Sequence, residues 1–134
     1  GVHGTLLAGA SMDLRPRFEA AEILAALASG DHTLFFGVPT MYTRLIAEAA
    51  HLPPRSPALR LFVSGSAPLA AQTFAEFERL FGQRILERYG MTETGMNLTN
   101  PLHGERRPGT VGGPFPGQEA RVVDVRSRAP LPDG

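Results

Sequence analysis

The sequence predicts an α/β fold built on a parallel sheet, and three observations carry that prediction. Short apolar runs alternate with longer amphipathic segments from about Thr33 to Leu86. Each apolar run is too short for a helix and is flanked by breakers, as strands buried on both faces are. After Met96 the texture changes to loop rich in Pro and Gly. Strand and helix in alternation imply right-handed βαβ crossovers, which place the strands parallel. The expected division is an α/β part over residues 1–98, followed by loop and strand over 99–134.

The elements follow in chain order. Arg17 to Ala28 places Phe18, Ala21, Leu24, Ala25 and Ala28 on one helical face. Thr33-Leu34-Phe35-Phe36 reads as the first strand. Pro39 to Ala50 reads as a helix with Pro in its first turn and Met41, Leu45 and Ala49 at four-residue steps. Leu61-Phe62-Val63 is the second strand. Leu69 to Phe81 repeats Phe74, Phe77 and Phe81 and ends at Gly82, a C-cap signal. Arg84-Ile85-Leu86 is the third strand, and Glu119 to Val125 reads as a strand of a separate, antiparallel layer.

Composition narrows the function classes. Lys plus Arg and Asp plus Glu both number 13, so the formal net charge is zero. That balance gives no support for a nucleic-acid or anionic-membrane partner, which rely on excess basic charge. No run approaches the ~18 apolar residues of a membrane span. Gly1-Val2-His3-Gly4 lacks the basic and apolar regions of a secretory signal. There is no cysteine, which excludes disulfides and thiolate metal sites and leaves the cytoplasm as the default compartment. His3, His32, His51 and His103 are scattered, so no zinc site is expected. The chain starts without Met in an apolar run and stops at Pro132-Asp133-Gly134, a turn signal. Both ends are therefore expected to continue into further chain.

In an open parallel sheet, ligands sit outside the carboxyl ends of the strands. Three loops qualify and converge on one rim: Phe36 to Thr40, Ser64 to Pro68, and Tyr89 to Thr94. In the second, Gly65 permits close backbone approach to a flat ligand, and Pro68 opens a helix whose free N–H groups favour an acceptor. The same residues also suit a plain strand-to-helix turn. In the third, Tyr89 can stack on a base and Gly90 permits a tight turn. Thr92 can donate to a phosphate oxygen, and Glu93 can hold a hard cation. A polar turn is the competing reading. Arg106-Arg107 reads as solvated loop charge.

In these loops the sequence resembles the adenylate-forming superfamily. Tyr89-Gly90-Met91-Thr92-Glu93 matches its Y-G-x-T-E motif, and Ser64-Gly65-Ser66-Ala67-Pro68-Leu69 its adenine-pocket G-x-A-P-L loop. Gly37-Val38-Pro39-Thr40 matches its acyl-pocket segment. Pro108-Gly109-Thr110-Val111-Gly112 and Pro114-Phe115-Pro116-Gly117 match a later P-G-T-V-G…P-x-P-G run. The motifs arrive in the family's order over nearly the whole chain. Met91, where peptide-synthetase domains usually carry Pro, points to the acyl-CoA synthetase branch. Leu86 to Asn97 and Gly37 to Leu45 are most similar to malonyl-CoA synthetases.

The resemblance implies part of the large N-terminal domain of an adenylate-forming enzyme, leading into the start of a β-barrel subdomain. It implies ATP, Mg²⁺ and coenzyme A, and a small carboxylic acid, malonate or methylmalonate first. The carboxylate attacks the α-phosphate of ATP, and the coenzyme A thiol then displaces AMP. By resemblance, Thr92 and Glu93 are catalytic, with Glu93 on the metal. Gly65, Ser66, Ala67, Pro68, Glu87, Arg88, Tyr89, Gly90, Met91 and Thr92 bind nucleotide. His3, Arg44 and Ser64 bind the acid, with the Arg44 guanidinium pairing a second carboxylate. A monocarboxylic acyl-CoA synthetase and an inactive nucleotide-binding module are the rival readings. The family's phosphate loop, ribose-binding Asp and catalytic Lys match nothing in the chain, so these 134 residues alone are expected not to turn over.

Overall fold

The computed structural model describes residues 1–49 and 57–132. His51, the helix end expected at Ala50 and the terminal Asp133-Gly134 lie outside them. The elements are α1 (Val2–Leu7), α2 (Ala20–Ala28), β1 (Leu34–Gly37), α3 (Pro39–Ala49), β2 (Leu61–Ser64), α4 (Ala71–Phe81), β3 (Leu86–Met91), β4 (Gly95–Thr99) and β5 (Gly113–Pro114).

The strands form one sheet in the order β1-β2-β3-β4-β5. β1, β2 and β3 are parallel, as the alternation predicts, whereas β4 and β5 add antiparallel. Strand order advances one place per crossover, so right-handed connections put α3 and α4 on the same face. The two helices touch there, and α2 packs on α3.

The core lies between these helices and the sheet. Tyr42, Phe62, Phe74, Phe77, Leu69 and Ile85 form its centre. Phe77 meets Phe62 at 4.8 Å and Tyr42 at 5.2 Å in edge-to-face contact, and stacks on Phe81 at 4.1 Å. Edge-to-face rings set the negative face of one π-system against the positive edge of the next. The Tyr42 hydroxyl donates to the Val63 carbonyl at 2.7 Å, which satisfies a fully buried polar group and ties α3 to β2. Gly82 ends α4 in the left-handed conformation at φ 69°, as its C-cap position predicts.

Several boundaries and faces differ from the sequence reading. The buried stripe of α2 is Ala20, Leu24 and Leu27 with Ile23 beside it; Ala21, Ala25 and Ala28 face outward. Alanine fits either face, so the larger Ile23, Leu24 and Leu27 set the rotation. Strand β1 is not buried on both sides: Phe36 is 51% exposed, because no described layer covers that face of this edge strand. The third strand runs from Leu86 to Met91 rather than Arg84 to Leu86, so Tyr89-Gly90-Met91 is strand and not loop.

Glu119 to Val125 forms no strand beyond the bridge between Val123 and Pro130. Asp124 Oδ1 accepts from the Arg126 and Ser127 N–H groups and the Ser127 hydroxyl, turning the chain there. The same bonds hold the Asp124 carboxyl below its ordinary pKa. Arg106 is not solvated loop charge. Its guanidinium donates to the carbonyls of Pro101, Leu102 and Arg84, and so fastens the loop after β4 to the start of β3. Arg107 does stay exposed, with Glu105 at 3.5 Å. Among the described residues, no helix is long and apolar enough to cross a membrane.

Candidate nucleotide site at the sheet edge

The parallel register sets Gly37, Ser64 and Glu87 level with one another across β1, β2 and β3. Each is the point from which one of the candidate segments departs. The register therefore brings the loops after β1 and β2 to one rim. The third segment is a hairpin, β3-turn-β4, that rises past that level.

The second loop runs from Gly65 to Ala70 before α4 begins at Ala71. Pro68 therefore does not open the helix. No side chain caps α4, and its N-terminal amides lie three residues beyond Pro68. The loop is held instead by the Leu69 N–H, which donates to Glu87 Oε1 at 2.9 Å. Ser66 sits at φ 70°, a conformation that costs a residue with a Cβ about 1 kcal/mol or more. A Cβ at Gly65 would come within 2.7 Å of the Arg88 guanidinium, which lies over its backbone and would have to swing aside. Arg88 makes no ion pair among the described residues, and its guanidinium lies beside this loop.

The hairpin shows why glycine occupies position 90. Gly90 does not form the turn; it lies in β3, where the register shifts between Tyr89 and Gly90. A Cβ at Gly90 would sit 2.5 Å from the Gly95 carbonyl oxygen. The turn proper is Thr92-Glu93-Thr94. Thr94 Oγ1 donates to Asn97 Oδ1 at 2.6 Å and locks it, while Gly95 takes the positive φ of 75°. Thr92 and Glu93 stand exposed at the tip, and neither side chain makes a hydrogen bond among the described residues. Tyr89 is 44% exposed, with its hydroxyl at Met91 Sδ, so the ring is uncovered and able to stack.

Ser64 and Glu87 are the buried polar groups of the rim, at 0% and 3% exposure. Among the described residues, Ser64 Oγ and Glu87 Oε2 both lack a hydrogen-bond partner. Burial pushes the Glu87 carboxyl up, and the Leu69 N–H opposes this with a smaller effect. The folded chain thus holds that proton more tightly than the unfolded chain. The resulting stabilisation is complete below the unfolded pKa and is lost as pH rises through the folded value. Glu87→Gln, neutral throughout, is expected to gain stability over the native chain across that window and to keep the gain above it. Thermal unfolding from about pH 4 to about pH 7 checks this, since ordinary carboxylates titrate near the lower end. Identical pH profiles for the two chains would contradict it.

The acid-site candidates lie apart. Arg44 is about half exposed on α3, 3.8 Å from Glu19 and with its guanidinium 4.9 Å over the Phe18 ring. His3 is exposed on α1, a helix with no buried residue. Among the described residues, neither forms a hydrogen bond or ion pair with the rim residues. No group of three or more His, Asp or Glu able to hold a metal occurs among the described residues. Glu93 offers one exposed carboxylate at the hairpin tip. That suits Mg²⁺, which commonly binds through one or two carboxylates and substrate phosphates.

One anchoring residue had no signal in the sequence. Asn100 is 3% exposed, and its Nδ2 donates to the carbonyls of Glu87 and Thr110. Its Oδ1 accepts from the Arg107 N–H. Asn100 so fixes β3 to the 105–112 loop, but a single Asn before a Pro looks like any turn residue.

Comparison with known proteins finds relatives along the whole chain. The family model for AMP-binding enzymes matches residues 1–134. A malonate–CoA ligase of Arabidopsis thaliana is 48% identical over 107 residues, covering 72% of this chain and 17% of the relative. The crystal structure of ATP-bound MatB from Rhodopseudomonas palustris superposes with a TM-score of 0.86 at 44% identity, over 98% of this chain and 26% of that one. A malonyl-CoA ligase product complex with methylmalonyl-CoA and AMP gives 0.75 at 42% identity, over 87% of this chain and 26% of that one. The chain thus spans about a quarter or less of the length of each protein it matches.

Proposed function

Since the chain belongs to the AMP-binding enzyme family, we propose that the protein carrying it is an ATP-dependent acid–CoA ligase for malonate or methylmalonate. The observation that carries this is the shared level of Gly37, Ser64 and Glu87, from which the acyl, adenine and phosphate segments all depart. The likeness to malonate–CoA ligases spans the same segments and supports the choice of acid.

In this reading the uncovered Tyr89 ring stacks on adenine, against the Gly65–Pro68 backbone. Thr92 donates to the α-phosphate as the acid's carboxylate attacks it, the α–β phosphoanhydride breaks and pyrophosphate leaves the acyl-adenylate. Glu93 holds the Mg²⁺, which neutralises phosphate charge when bound. Glu87, Arg88, Gly90 and Met91 complete the nucleotide side, and His3, Arg44 and Ser64 the acid side. The coenzyme A thiol then takes the acyl group and AMP leaves. Residues 1–98 serve as the nucleotide and acyl part, and residues 99–134 lead into a β subdomain.

Arg44 already has a carboxylate partner in Glu19, yet exposed pairs of this kind are worth only about 0–1 kcal/mol. A substrate carboxylate can displace Glu19 at little cost, and gains more where water is excluded. In the complete protein, Arg44→Ala is expected to lower kcat/KM for malonate by about 10²-fold or more while sparing a short monocarboxylic acid. That size corresponds to stripping the partner from a charge that the bound acid and the rest of the complete protein bury. Equal loss on both acids would remove Arg44 from substrate choice and favour the monocarboxylic reading. Absence of any acid-dependent AMP formation by the complete native protein would favour the inactive module.

A further inference from the structure

We propose that Glu87 is a positioning residue for the nucleotide, its carboxylate on β3 fixing the 65–69 loop through the Leu69 N–H. The inference rests on the ligase reading for its ligand, but its geometry stands without it. Glu87 Oε1 accepts from Leu69 at 2.9 Å, and the bond bridges elements 18 residues apart in sequence. Its anchor is fixed from the other side. The Glu87 carbonyl accepts both the Asn100 N–H and Asn100 Nδ2, each at 3.1 Å. Strand, loop and the chain after β4 thus meet at one residue.

A buried carboxylate is a costly way to brace a loop. An unpaired oxygen in the interior forfeits its hydration, and here Glu87 Oε2 and the neighbouring Ser64 Oγ both go unpartnered. An apolar side chain would fill the space more cheaply. What it would not do is accept from Leu69, whose amide would then be a buried orphan. The acceptor holds a loop that already carries two constraints, the left-handed Ser66 and the Arg88 guanidinium over Gly65. Such a loop has no helix or ladder of its own to hold it in place. Its preorganisation therefore comes from β3, and nucleotide binding does not have to supply the ordering.

The test uses the complete protein with two variants of Glu87. Glu87→Met keeps volume and removes the acceptor. It is expected to raise the KM for ATP about ten- to a hundred-fold, the cost of one buried donor left unpaired. The KM for the acid should rise much less than that for ATP, since Arg44 and the loop after β1 are untouched and only Ser64 of the acid side neighbours Glu87. Glu87→Gln keeps an acceptor oxygen and should recover most of that loss. If Gln is as harmful as Met, the negative charge itself meets the ligand and the positioning role is overturned. If Met raises both KM values alike, Glu87 is scaffold only and the proposal fails.

A second measurement is independent of the ligase reading. In the native protein without nucleotide, the Leu69 amide should already be protected from hydrogen exchange, and Glu87→Met should release it. Free exchange of Leu69 in the native protein would overturn the proposal. Protection together with absent ligase activity would leave the brace standing and sink the functional reading.

Discussion

Phe77→Ala is expected to destabilise the 134-residue chain by about 3–5 kcal/mol, the range for truncating a buried aromatic. Phe77 is fully buried and is the ring where the core converges. Its neighbours come from three elements: Tyr42 on α3, Phe62 on β2 and Phe81 on its own helix. Those rings cannot collapse into the vacated space together, because the Tyr42 hydroxyl is pinned to the Val63 carbonyl. A cavity remains, and its cost adds to the lost transfer energy. Small domains have only about 5–15 kcal/mol in hand, so the loss would take a large part of it. Urea unfolding of the two chains measures the difference. A change under about 1 kcal/mol would mean that α4 can move inward and that the aromatic cluster is not the centre of the core.

Glu93→Gln is expected to lower acid-dependent pyrophosphate exchange by the complete protein on the order of 10²–10³-fold, as loss of a group stabilising developing charge does. The variant should also need more Mg²⁺ to reach half its maximal rate. Its fold should be untouched, because Glu93 is exposed at the hairpin tip and surface changes of this kind stay within about 0.5 kcal/mol. The Mg²⁺ titration decides between the two readings of the Thr92-Glu93-Thr94 turn. A rate loss with unchanged Mg²⁺ dependence would assign Glu93 to the turn and not to the metal.

Much of this was legible in the sequence because it depends on local pattern. The Phe74–Phe77–Phe81 spacing marks α4, and Gly82 marks its end, since both follow from helical geometry alone. The alternation of apolar runs with amphipathic ones gives the parallel order of β1, β2 and β3. Where residue type is ambiguous the pattern misleads. Alanines at 21, 25 and 28 suit either face, and α2 turns instead on Ile23, Leu24 and Leu27. Tyr89-Gly90-Met91 looks like loop because Gly and polar neighbours usually are. Gly90 is there because β4 approaches it too closely for a side chain.

The candidate site divides along the same line. Its motifs are contiguous, so Ser64 to Leu69 and Tyr89 to Glu93 can be read directly from the chain. The bonds that join them are not contiguous. Leu69 meets Glu87, Asn100 meets Glu87 and Thr110, and Arg106 reaches back to Arg84. The sequence by itself determined the fold class, because local spacing encodes strand and helix, and the family, because its motifs are contiguous and resemble the family's own. Only the tertiary structure decided that Glu87 is buried with an unpartnered oxygen, that Arg88 lies over Gly65, and that the third segment is a hairpin. Those facts follow from strand register and burial, which bring together residues that no spacing along the chain relates.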